Sequence, residues 1–349
     1  MRILLLATDA YGGHGGIALF NRELCAALSE LPEVTEIVVV PRVIRTLPEG
    51  VPPKVRFQLK AARNNLHYAR AVTSLLRETF DLVICGHVNL LPVACTFARP
   101  LLVVHGIEAW QPLKSAIRRR LIHRCRAVVS VSAVTRDRLL AWSHYRGPVH
   151  VLPNAVHLEQ YSIRPKRDDL VQRYGLAGKQ VLLTVGRLAG EDRSKGFDEV
   201  LEVLPQLPED VVYMIAGGGH DLPRLRDKAQ SLGVGERVIF TGLFPESEKP
   251  DLYNLADVYV MPSRGEGFGF VFLEALASGL PVIGSKVDGG REALLDGKLG
   301  TLVDPDDRNE LREAIVTLLD NPRREVPDAL AHFSFEKFVE RVAAIVRGT

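Results

Sequence analysis

PSRGEGFGFVFLEALASGLPVIGS, residues Pro262 to Ser285, runs from a glycine-rich loop into a short apolar helix and then through a Gly-x-Pro turn into a buried strand. Gly265, Gly267 and Gly269 leave backbone N–H groups uncovered immediately before the helix, where free donors and the helix dipole attract a phosphate. Glu266 stands in the loop and Glu274 eight positions later on the helix. A carboxylate in the first turns of a helix whose start holds a diphosphate is placed to accept hydrogen bonds from sugar hydroxyls. A plain loop-to-helix junction, with a Glu near the start for its dipole, suits the same residues.

Outward from this stretch, 349 residues exceed one compact core, so two domains of about 150–180 residues are expected. A hydrophobic share of 46% with 25% charged residues is that of a soluble globular protein. The net charge of +2 argues against a dedicated nucleic-acid binder. Cys25, Cys85, Cys95 and Cys125 show no paired spacing, which fits buried thiols in a reducing compartment and no zinc site. No apolar run approaches the roughly 18–20 residues that span a bilayer, and the start runs straight into a strand. The expected location is cytoplasmic, or peripheral on the inner face of the cytoplasmic membrane.

Short apolar runs recur along the whole chain: RILLLAT from Arg2, EIVVVP from Glu36, VRFQL from Val55, DLVICGH from Asp81, PLLVVHG from Pro100, AVVSVS and HVLPN in the first half. KQVLLTVGRL from Lys179 repeats the opening pattern of strand, glycine and loop, and YMIAGGG, RVIFTG, VYVMPS, LPVIGS and GTLVD follow. Such runs are strands buried between helix layers in parallel sheets. The fold class is therefore α/β, with two β/α domains facing each other across a cleft. After the first strand, Gly12, Gly13, Gly15 and Gly16 open a helix with Ile17, Leu19, Phe20, Leu24 and Leu28 at helical spacing. This resembles a dinucleotide loop without matching its spacing, and tight packing of helix on strand explains it equally. His105 ends a strand, where open α/β sheets bind ligands, although a structural histidine is the competing reading.

A helix is expected over about Ala61 to Thr79, carrying Arg63, His67, Arg70 and Arg77. Arg118, Arg119, Arg120, Arg124 and Arg126 crowd the next, a solvated face or a contact for anionic lipid headgroups. At the end of the chain, Phe333, Phe335, Phe338, Val342 and Ile345 share one side of an amphipathic helix.

The central stretch resembles the signature of family 4 glycosyltransferases: Glu266, seven residues, Glu274, then Ala275, Gly279, Pro281 and Val282. GRL at Gly186–Leu188, SKG at Ser194–Gly196, VLPNAV at Val151–Val156, AGGG at Ala216–Gly219 and the early glycine loop extend the likeness over nearly the whole chain. The resemblance implies the GT-B architecture, two Rossmann-like β/α/β domains with the active site between them, a nucleotide-sugar donor, no metal, and retention of anomeric configuration. It divides the chain into an acceptor-binding domain, 1–155 with a C-terminal helix over 333–349, and a donor-binding domain, 156–332.

By the same resemblance Arg187 and Lys195 bind the donor diphosphate, whose growing charge needs fixed cations. GEDRS lengthens the loop between them, and Ala155 and His157 stand where Gly and Asp are frequent. Glu274 takes ribose hydroxyls, Glu266 takes hydroxyls of the transferred sugar, and backbone amides of Gly267, Phe268 and Gly269 meet phosphate or sugar. His105 lies beside the transferred sugar, and Gly15 and Gly16 approach the diphosphate. No side chain is a nucleophile; the residues position groups and stabilise charge.

The product is expected to be a surface polysaccharide or glycolipid. A nicotinamide-dependent oxidoreductase would need an acidic residue about 20 positions after the glycine loop, near Glu33 or Glu36. A non-catalytic nucleotide-sugar-binding protein of the same fold is a third reading. Asp304, Asp306 and Asp307 mimic a metal motif but directly precede a helix, where N-capping is their expected role.

Overall fold

The runs RILLLA and QVLLTV each bury every residue after the first. Strands covered by helices on both faces lose the polar alternation of half-exposed ones, so they read as continuous apolar runs. In the computed structural model, which describes residues 1–11, 15–44, 50–190, 193–322 and 324–349, these runs lie at the centres of two sheets. The first sheet is ordered β3 (Val55–Phe57), β2 (Glu36–Pro41), β1 (Arg2–Ala7), β4 (Leu82–Cys85), β5 (Leu101–Val104), β6 (Ala127–Ser130), β7 (Val149–Val151). The second is ordered β10 (Val238–Gly242), β9 (Val211–Ala216), β8 (Gln180–Val185), β11 (Val258–Val260), β12 (Val282–Ser285), β13 (Thr301–Val303). Every pairing in both is parallel.

In each sheet the chain steps outward on one side of its first strand and then resumes on the other. Such doubly wound order opens a crevice at the carboxyl ends of the two strands where the direction reverses. Those strands are β1 and β4 in the unit Met1–Ala155 with Phe335–Thr349, and β8 and β11 in the unit Val156–Ser334. The crevice residues are therefore set by topology: Gly86 and His87 after β4, Gly186 and Arg187 after β8, and the loop from Pro262 after β11.

The helix Gly16–Glu30 buries Phe20, Leu24 and Leu28 against the first sheet. The terminal helix Phe335–Gly348 joins that unit, and Phe338 meets Phe20 edge-on with ring centres 5.9 Å apart. Phe333 departs from the expected stripe. It ends a 3-10 turn, Asp328–Phe333, in the second unit and stacks edge-on against Phe268 at 5.4 Å. The helix expected over 61–79 is shorter, Asn65–Leu75, because the Asn64 side chain captures the His67 N–H and caps it there. Arg63 and Arg77 consequently fall outside it. The arginine-rich helix is Ala116–Ile122, capped by Ser115, with Arg119 and Arg120 exposed. Among the described residues no helix is long and apolar enough to cross a membrane.

Gly217 and Gly219, with φ of 144° and 158°, bring the loop after β9 against the loop after β8. A Cβ on either would overlap the carbonyl of Gly186 or Leu188, the residues flanking Arg187. Gly219→Ala is expected to destabilise the protein by about 2–3 kcal/mol, from strain and overpacking together. Urea unfolding of the full chain measures it; an unchanged midpoint would show that the two loops are not packed as described.

Candidate functional site

The helix Phe270–Ala277 starts at Gly269, whose φ of 95° a side chain would strain. No side chain caps this end and no acidic residue sits in its first turn, so the leading N–H groups face the loop without a built-in anion. Phe268 is fully buried against Phe333, so this residue offers the site its amide and not its ring. In the same loop Gly265 is half-buried and Gly267 buried.

Glu274 lies on that helix almost sequestered, its side chain 5% exposed. Its Oε1 is 2.6 Å from Lys249 Nζ, and its Oε2 accepts the Tyr253 hydroxyl at 2.6 Å. Lys249 also reaches Glu246 at 3.1 Å. Burial opposes its charge, yet Glu274 and Glu246 hold the ammonium above its ordinary range. Burial, with the Glu274 charge added, pushes the Tyr253 phenol well up, so it stays a donor. Lys249 and Tyr253 were not singled out by sequence reasoning. Their spacing of four on the helix Lys249–Leu255, which puts both on one face, was the available signal.

Arg187 is exposed just past β8 and forms no ion pair among the described residues. Lys195 and Glu266, given separate tasks by the resemblance, meet directly, Nζ to Oε2 at 2.7 Å with each side chain about one-fifth exposed. Glu191 and Asp192 of the lengthened loop lie outside the described residues.

In the first unit, Gly15 begins the helix Gly16–Glu30 at φ 103°, with open space where a Cβ would stand, and Gly16 is exposed. Gly12 and Gly13 lie outside the described residues. His105 Nε2 sits 2.9 Å from the Gly86 carbonyl and must donate to it, which leaves Nδ1 as an acceptor. The ring packs edge-on to Phe20, and the backbone N–H donates to Glu108 Oε1 at 2.5 Å. His87 Nδ1 accepts the Asn89 N–H at 3.1 Å. Burial lowers the affinity of both imidazoles for a proton, against the opposing pull of Glu108. His87 and Glu108 join His105 through the fold, since His87 follows β4 while the other two follow β5.

Two competing assignments lose their ground. Glu36 opens β2 and pairs with Arg2 and Arg56, while Glu33 pairs with Arg347. Both lie at the amino end of β2, whereas a dinucleotide ribose needs a carboxylate at the carboxyl end. Asp307 caps the helix Arg308–Asp320 by accepting the N–H groups of Asn309 and Glu310, and Asp306 pairs with Arg264. Among the described residues no group of three His, Cys, Asp or Glu is placed to hold a metal.

Residues 166–333 match the family model described as glycosyl transferases group 1, and residues 14–160 match glycosyltransferase family 4. The chain is 36% identical over 234 residues to the GDP-mannose-dependent alpha-(1-6)-phosphatidylinositol monomannoside mannosyltransferase of Mycolicibacterium smegmatis, covering 63% of this chain and 60% of that one. It is 31% identical over 189 residues to alpha-D-kanosaminyltransferase of Streptomyces kanamyceticus, covering 52% of this chain and 49% of that one. The matches thus span about 60% or less of these relatives' lengths. In fold, the chain matches Anabaena HepE, crystallised in complex with UDP-glucose, with a TM-score of 0.81, 24% identity and full coverage of both chains.

Replacing Lys249 by Met strands the Glu274 carboxylate, and a loss of about 3–5 kcal/mol is expected. Glu274→Gln in that background recovers part of it, a coupling of about 1 kcal/mol or more in a urea double-mutant cycle; additive losses would mean that the pair does not interact. The depressed imidazoles set a pH dependence as well. The native state binds fewer protons than the unfolded chain below the ordinary imidazole range, about pH 6.5, so their contribution is present above it and lost on acidification. His105→Gln should therefore flatten the fall in melting temperature between about pH 7 and 5; parallel curves would contradict this.

Proposed function

The chain belongs to the family 4, group 1 glycosyltransferases, and on that premise we propose that it moves a hexose, with retention, from a nucleotide-diphosphate sugar to a glycan or lipid-linked acceptor. The observation that carries this reading is the single helix that pairs an uncapped, glycine-led start with the buried, doubly held Glu274. One element thereby offers free N–H groups to a diphosphate and a fixed acceptor to ribose hydroxyls. Each Glu274 oxygen already takes one donor and keeps a second lone pair for the ligand. GDP-mannose or a UDP-hexose is the donor class, and the likeness to a GDP-mannose-dependent relative favours the first.

In the reaction, the bond from the anomeric carbon to the diphosphate oxygen breaks, and one from the same carbon to the acceptor oxygen forms on the same face. The acceptor proton passes to the departing phosphate oxygen, so no protein nucleophile is needed. Negative charge grows on the leaving diphosphate. Arg187, unpaired among the described residues, Lys195 and the helix-start N–H groups stabilise that charge without a metal ion. Glu266, held by Lys195, is assigned to the hydroxyls of the transferred hexose. The second unit is thus the donor-binding domain.

The first unit is assigned to acceptor binding. His105, kept neutral by burial, offers Nδ1 to a sugar hydroxyl, and the open backbone at Gly15 and Gly16 admits an anionic group. Exposed Arg119 and Arg120, with Arg118 beside them and Ile117 66% exposed on the same helix, suit peripheral contact with anionic lipid on the inner membrane face. Each near-surface cation contributes about 1 kcal/mol there. A lipid-linked acceptor in surface polysaccharide or glycolipid synthesis fits that location.

A thermal-shift panel of UDP, GDP, ADP and TDP is expected to pick one base, since a ligand at a hundred times its Kd adds about 2.7 kcal/mol to the folded state. Glu274→Ala should abolish binding of that nucleotide by isothermal titration; wild-type affinity would remove the ribose role. Arg187→Ala should lower kcat more than it raises KM, as expected of a group that acts on developing charge. Flotation with anionic vesicles should weaken when Arg118, Arg119 and Arg120 are replaced together, and indifference would remove the membrane contact.

A further inference from the structure

A loop residue aims its side chain only as well as its own peptide is held. The Glu266 peptide is held at both of its polar groups by one turn. Its N–H donates to Asp288 Oδ2 at 2.8 Å, and its carbonyl accepts the Gly289 N–H at 2.8 Å. Asp288 Oδ1 accepts the Gly290 N–H at 3.0 Å, which fixes the carboxylate in turn. Gly289 lies so close to the loop that a Cβ there would overlap the Gly267 carbonyl. Asp288 has no exposed surface.

Lys195 and the cations that flank Glu266 and Asp288 along the chain pair, among the described residues, with other carboxylates. Lys195 is bound to Glu266, Arg264 to Glu199 and Asp306, Lys286 to Glu310, and Arg291 to Asp296. The charge that acts on Asp288 is that of Glu266, of like sign. Burial, with the Glu266 charge added, pushes the Asp288 carboxyl up to about 7, against the opposing pull of the Glu266 and Gly290 N–H groups and the Ser263 hydroxyl.

We propose that Asp288 is a positioning residue for the transferred sugar: its ionised side chain holds the Glu266 peptide so that the Glu266 carboxylate meets Lys195, and its protonation releases that hold. The inference rests on the transferase reading of the same site. An ionised carboxylate accepts on both oxygens, as the two N–H groups require, whereas a protonated oxygen presents a donor to a donor. Hydrogen bonds to a charged acceptor are also about twice as strong as neutral ones. The hold therefore strengthens as pH rises through the Asp288 value. Folding stability runs the other way. A raised carboxyl favours the native state below the ordinary aspartate range, and that contribution is lost as pH rises through the folded value.

Asp288→Asn, isosteric and neutral at every pH, should behave as the protonated form throughout. With GDP-mannose or UDP-glucose, whichever the wild type binds, kcat for donor hydrolysis should fall about tenfold or more at pH 8 and less at pH 6, a barrier change of about 1.4 kcal/mol at the upper pH. The acidic limb of the wild-type profile near pH 7 should vanish. Affinity for the free nucleoside should stay within about threefold, because Glu274, to which its ribose is assigned, is held by Lys249 and Tyr253 and lies outside the clamp.

In hydrogen exchange of the full chain, the amides of 264–270 should be less protected in Asp288→Asn than in wild type at pH 8, with the difference closing toward pH 6. Its melting temperature relative to wild type should rise between pH 4 and 8. Superposed pH–rate profiles, or equal protection at pH 8, would overturn the proposal. If the wild type binds no nucleotide sugar, the transferase reading fails, and the exchange measurement still decides whether Asp288 holds the loop.

Discussion

A strand buried on both faces has no polar surface along its length, so a parallel sheet can present chemistry only where its strands end. Both sheets here obey that constraint. β1 and β8 each bury every residue after the first, and the doubly wound order parts the crossovers at their carboxyl ends. His87, His105, Arg187 and the loop before Phe270 all stand at such ends. The interior supplies rigidity, and the edges supply donors, acceptors and charge.

At those edges the governing problem is the buried ion. Glu274 is answered by an ammonium and a phenol, a satisfied network in which each carboxylate oxygen has its donor. Asp288 is answered by two backbone N–H groups and the Ser263 side chain, with no cation paired to it among the described residues, and its burial places its ionisation near neutrality. Lys195 and Glu266 stand between these extremes, paired and partly wet. Three carboxylates in one unit thus carry different electrostatic loads, set by what each faces. Residues matched to a family motif can differ in protonation behaviour for reasons the motif does not contain.

Much of the architecture was legible in the chain. Continuous apolar runs ending at Gly or His marked the strands, because burial on both faces removes alternation. Helix starts were legible where a side chain of known chemistry stands, as Asp307 does before Arg308. They were misjudged where capping competes with apolar spacing, as at Asn64, which starts its helix four residues after the pattern does. Phe333 fits the apolar stripe of the terminal helix by spacing, yet its ring is claimed by Phe268, more than sixty positions earlier.

By itself, the sequence determined the alternation of strand and helix, the glycine positions where the backbone must bend or be approached, and the motif residues that define the family. These are local or pattern properties, dictated by period, backbone freedom and the apolar character of a covered strand. Tertiary structure alone decided that Lys249 and Tyr253 complete Glu274, that Lys195 meets Glu266, and that Asp288 grips the Glu266 peptide. Each contact joins different crossovers of one sheet, and its energy depends on burial that exists only once those crossovers are packed.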